Sequence, residues 1–125
     1  MVDESVTHEF LLESEELLDS FESDLVTLEQ DPSRADLVVQ MFRALHTIKG
    51  NAGTFGFAKL EALCHSGESL LDALRNGQVR LDAEMASALL ASIDTARRML
   101  SSIAETGDEG EPAPAELLAS LASFH

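Results

Sequence analysis

Apolar residues recur at intervals of three and four along almost the whole chain. Only Asp31-Pro32, Gly53 to Gly56, Asn76-Gly77 and the stretch from Thr106 to Pro114 break the pattern. That spacing marks amphipathic helices, and no segment shows the sustained alternation of a half-buried strand. It predicts helices at about residues 5–30, 33–53, 57–76, 83–105 and 115–124. The first carries Phe10, Leu17, Leu18, Phe21, Leu25 and Leu28 on one stripe. The third carries Phe57, Leu60, Leu63, Leu70, Leu71 and Leu74, and the fourth Met85, Leu89, Ile93, Met99, Leu100 and Ile103. Long helices with short connections pack as antiparallel neighbours. The expected fold is therefore all-α, an up-down-up-down four-helix bundle with a short fifth helix on its outside. Asp31 is expected to cap the second helix with Pro32 at its first position, and Asp82 to cap the fourth. Asn76-Gly77 supplies a left-handed stop for the third. The Gly-, Pro- and acid-rich stretch from Thr106 to Pro114 reads as a solvated connection.

At 125 residues the chain suits one domain, 1–125, with a single core. Aromatics are 5% of the residues, with no Trp or Tyr, so Leu and Ala must do the packing, which suits helices. With 23 acidic against 8 basic residues the net charge is −15. Such a surface repels phosphate backbones and anionic lipid, which argues against nucleic acid and membrane surfaces as partners and suits steering toward a basic patch on a protein. No apolar run approaches the roughly 18–20 residues of a membrane span. The acidic start Met1-Val2-Asp3-Glu4 does not fit a signal peptide, and one cysteine forms no internal disulfide. The expectation is a cytoplasmic protein.

The second helix carries the chemistry. Taking about 100° per residue, Leu37, Val38, Met41, Ala44, Leu45, Ile48 and Ala52 share an arc of roughly 120°, the core face. His46 lies roughly 140° from its centre, toward water. Lys49, Gly50 and Gly53 follow three, four and seven residues on and share its face. A helical glycine costs on the order of 1 kcal/mol against alanine, so two of them beside an exposed histidine suggest clearance for an incoming group. A phosphoryl-accepting histidine must be exposed for in-line approach, with one ring nitrogen as nucleophile. The other must donate its proton to a fixed acceptor, and a nearby cation must meet the phosphoryl oxygens. The third helix can provide the acceptor. There Glu68 sits roughly 80° from the core centre, on the border, where it can reach the Nδ1 side of His46 and leave Nε2 free. His65, roughly 140° off on the same side, is positioned to bond the same carboxylate. Val39 lies about 20° from His46, and Phe42 about 40° away on the other side, turning partly into the groove toward the first helix. These two are candidates for the centre of a docking surface.

The run FRALHTIKGNAGTFGF, residues 42–57, followed by LEALCHSGESLLDALRNGQ, resembles the histidine phosphotransfer domain of CheA-type chemotaxis histidine kinases. The likeness is close over about residues 40–80 and looser over the first and fourth helices; Asn51 departs mildly from the small residue usual there. The resemblance implies that His46 is the phosphoacceptor, Lys49 the phosphoryl-stabilising lysine, Glu68 the helix-borne glutamate and His65 its accompanying histidine. It also implies that ATP and Mg are bound by a separate kinase domain, with no cofactor here. The implied partners are that histidine kinase catalytic domain and a response regulator receiver domain, whose aspartate takes the phosphoryl group. Such a domain stands N-terminal in a larger kinase, as the start at Met1 fits, whereas the end at His125 points to an isolated or trimmed domain, expected to be monomeric.

Other readings stand beside these. Glu68 has ordinary alternatives in Arg75 or Lys59, and Cys64, within roughly 40° of the core centre, reads as a small buried hydrophobe. His65-x-x-Glu68 reverses the order of di-metal bundle pairs and has no second copy, and no zinc motif or phosphate-binding Gly-rich loop is present. The rival to a phosphorelay intermediate is an adaptor bundle that only displays an acidic surface.

Overall fold

The computed structural model describes residues 4–124. Five helices follow in order: α1 Glu4–Gln30, α2 Ala35–Phe55, α3 Ala58–Arg75, α4 Ala83–Thr106 and α5 Ala115–Ser123. No strand occurs among the described residues. α1 packs on α2, α2 on α3, α3 on α4, and α4 back on α1, which closes a four-helix bundle; α5 leans against α3 and α4. The core is the set of stripes read from the sequence. All seven predicted core residues of α2 are buried, as are Phe10, Leu18, Phe21, Leu25 and Leu28 of α1 and all six of α4. Leu17, Phe57 and Leu74 sit at its partly buried margin.

The helix ends show where local chemistry decides. Asp82 accepts the backbone N–H of Met85 at 2.8 Å and caps α4 as expected. Gly77, at φ +73°, stops α3, with Gln78 N–H returned to the Ala73 carbonyl. Asp31, however, does not cap α2. Its carboxylate is taken by the backbone N–H and hydroxyl of Ser33, two residues on, at 3.3 and 2.6 Å. That local turn satisfies the carboxylate first, so Pro32 is not the opening residue of α2, which starts at Ala35 rather than 33. α2 also continues through Gly53 to Phe55. Gly56, at φ +81°, ends it, with Gly56 N–H bonded to the Gly53 carbonyl and Phe57 N–H to that of Ala52.

A second correction concerns the segment from Thr106 to Pro114, which is not a free solvated link. Glu109 is only 8% exposed, and its carboxylate accepts the backbone N–H groups of Lys59 and Leu60 at 3.2 and 2.9 Å. It thus caps the first turn of α3, where orphan donors and the helix dipole favour an anion. Ala113 and Leu121, further along the chain, are buried too.

Candidate phosphotransfer site

α2 and α3 build the site, and its contacts fix their relative direction. Phe42 meets Arg75, His46 meets Glu68 and Gly53 meets Glu61, each advance along α2 matched by a retreat along α3, and Leu45 meets Gly67 beside the second of these contacts. The two helices therefore run antiparallel. Gly67 makes this close: a Cβ there would stand 2.8 Å from Leu45 Cδ1. The backbone of α3 thus comes near α2 one residue before Glu68.

His46 projects from this seam with 62% of its side chain exposed, while Glu68 is 14% exposed. His46 Nδ1 lies 3.3 Å from Glu68 Oε2. An ionised carboxylate only accepts, so the contact favours the Nδ1–H tautomer and leaves the Nε2 lone pair facing outward. Lys49 Nζ donates to Glu68 Oε1 at 3.1 Å and stands 3.0 Å from Oε2. Burial pushes the Glu68 carboxyl up, but hydrogen bonds and charge from Lys49 and His46 outweigh it and hold it below the usual glutamate range. It is a fixed anion beside the exposed imidazole.

The alternative partners of Glu68 are engaged elsewhere: Arg75 pairs with Asp72, and Lys59 Nζ donates to the Gly110 carbonyl. His65 is exposed on α3, and among the described residues no hydrogen bond joins its ring to Glu68. Gly50 opens onto free space, whereas the clearance at Gly53 is filled by the Glu61 carboxylate, 2.7 Å from where a Cβ would be. Val39 is half-buried. Phe42 is half-buried too, but it turns toward α3 rather than α1: the Arg75 guanidinium stands 4.6 Å from its ring centroid. Cys64 is buried, and burial with the nearby Glu68 charge pushes its thiol up to about 12, so it stays protonated. No cluster of three metal-ligating side chains occurs among the described residues. Among the described residues no helix is long and apolar enough to cross a membrane.

Gly67 escaped the sequence reading, and Arg75 entered it only as an alternative partner of Glu68, not as a neighbour of Phe42. Gly67 lies on the apolar face of α3, and a glycine inside a helix is itself a signal of close approach. Arg75 is seven residues beyond Glu68 and Phe42 four before His46, so antiparallel packing brings them together one or two turns away.

The model of the Hpt domain matches residues 5–99. The chain belongs to the Hpt family. Among curated relatives of this Hpt domain, the chemotaxis protein CheA of Treponema pallidum (strain Nichols) is 36% identical over 97% of the chain. That of Bacillus subtilis (strain 168) is 38% identical over 79%. The chain spans only about 15% of the length of either protein. A solved histidine phosphotransfer domain of CheA superposes with a TM-score of 0.89 and 31% identity, covering 99% of this chain and 95% of that one. The phosphorylated P1 domain of CheA3 from R. sphaeroides, solved in complex with CheY6, gives 0.86 and 31%, covering 95% and 94%.

Proposed function

We propose that this domain is a phosphorelay intermediate of chemotaxis signalling, acting as one unit over residues 1–125, cytoplasmic and monomeric when isolated. His46 takes a phosphoryl group from ATP held with Mg by a separate histidine kinase domain, and passes it to an aspartate of a response regulator receiver domain. The observation that carries the reading is the exposed His46 ring with Nδ1 3.3 Å from the largely buried Glu68 carboxylate.

In the forward step His46 Nε2 attacks the terminal phosphorus; the N–P bond forms, the bridging P–O bond breaks, and ADP leaves with the electron pair. No proton has to move, because Nδ1 already carries one and the positive charge that develops on the ring faces Glu68. Lys49, beside the same carboxylate, supplies a cation to the phosphoryl oxygens, and Gly50 leaves room for them. In the second step the aspartate oxygen attacks phosphorus, the N–P bond breaks, and His46 returns as the Nδ1–H tautomer. Val39, the exposed edge of Phe42, Gly50 and Gly53 form the surface on which the regulator docks. His65 stands on the same side of α3 as Glu68 and meets the incoming protein rather than the resting His46 ring.

Incubation with a cognate kinase and ATP tests this directly. Expected is an acid-labile, alkali-stable phosphoramidate that disappears in His46→Gln, a variant that keeps the fold because the ring is exposed. No label on the wild-type chain would leave the adaptor reading; label persisting in His46→Gln would move the site to His65.

A further inference from the structure

The His46 ring has a second neighbour besides Glu68. The Phe42 ring, one helical turn earlier, lies nearly parallel to it, with an interplanar angle of 8° and centroids 6.0 Å apart. Over the Phe42 ring stands the Arg75 guanidinium, at 4.6 Å, within cation–π range. Arg75 is in turn held by an ion pair with Asp72 on its own helix. α3 therefore reaches the imidazole twice, directly through Glu68 and indirectly through Arg75 and Phe42.

The two contacts constrain different motions. One hydrogen bond at Nδ1 fixes a point on the ring edge but leaves the ring free to tilt about the line to Glu68 Oε2. A tilt swings Nε2, on the far side of the ring, away from the line of attack. A flat ring alongside the imidazole, itself clamped by a guanidinium, opposes that tilt. We propose that Phe42 is a positioning residue that sets the plane of the His46 ring, and that Arg75, anchored by Asp72, holds Phe42 in place. Glu68 selects which nitrogen reacts; Phe42 and Arg75 select the direction in which it points. The proposal rests on the relay reading for its kinetic consequence but not for its structural one, and it gives Phe42 a role that no docking partner is needed to reveal.

The structural arm uses the unaltered chain and nuclear magnetic resonance. The His46 ring protons should be displaced by the Phe42 ring current from those of the exposed His65. The ring nitrogens should report predominantly the Nδ1–H form. Phe42→Leu should remove the displacement and lower the Nδ1–H fraction, and Phe42→Tyr should restore both. In the kinetic arm, Phe42→Leu should lower kcat for phosphorylation about tenfold, since small misplacements of a reacting atom are costly, with KM for the kinase within about twofold of wild type. Arg75→Gln should slow the wild type about threefold and the Phe42→Leu variant not at all, as residues acting in series are not additive. Wild-type His46 ring protons with no displacement would overturn the stack without any substitution. A raised KM with kcat and ring signals unchanged would make Phe42 a docking residue only, and an equal effect of Arg75→Gln in both backgrounds would release Arg75 from the chain. Absence of label in every variant, wild type included, would sink the relay reading while the ring signals still decided the orientation.

Discussion

Glu68 meets two donors, Lys49 and His46, with one carboxylate, and its titration follows from that. Its pKa lies below the usual glutamate value of about 4.3, so its contribution to stability is complete above that value and fades as pH falls through the depressed one. Thermal melts of wild type and Glu68→Gln should differ near pH 7 and converge only as pH falls through the depressed Glu68 value. A constant difference would show that the ion pair with Lys49 is not what the substitution removes. Lys49→Ala should slow phosphorylation by about 10²-fold, the scale of one lost electrostatic donor, with the melting curve little changed. An unchanged rate would make Lys49 an ordinary surface lysine. The helix wheel made this pair legible: angular placement put His46 outward and Glu68 on the border of the core face, and the ring contact followed. It could not fix Phe42, whose direction depends on Arg75 of another helix and not on anything in α2.

At the level of the helices, the approach of α2 and α3 depends on Gly67. Gly67→Ala gains about 1 kcal/mol in helix propensity, yet its new Cβ meets Leu45, and overpacking of this kind costs about 1–3 kcal/mol. Expected is a modest net loss of stability in denaturant titration together with slower labelling of His46, because Glu68 is displaced with its helix. A variant both more stable and equally reactive would mean that the interface has slack. Asp82→Ala should cost about 1 kcal/mol by uncapping α4, whereas Asp31→Ala should leave the start of α2 almost untouched. The two aspartates look alike in sequence. They differ because Ser33 competes for Asp31, while Asp82 has no such hydroxyl before the helix begins. Glu109 was illegible for another reason: its partners lie 49 and 50 residues away, and polar composition reads as solvent when a distant donor is not in view.

For the molecule as a whole, the net charge of −15 favours fast, salt-dependent encounter with a basic surface, and the proposed docking at half-buried Val39 would exclude water once contact is made. Val39→Asp should leave circular dichroism and melting nearly unchanged and cut transfer from phosphorylated His46 by about tenfold or more. Wild-type kinetics in that variant would put the docking surface elsewhere. The family match stops at residue 99, inside α4, whereas Glu109 and Leu121 lie beyond it. A fragment trimmed to the border of that match would retain His46, Lys49 and Glu68. It would also strip an anchor from the opening turn of the helix that presents Glu68, so the part of the chain that carries the relay chemistry is shorter than the part needed to hold it rigid.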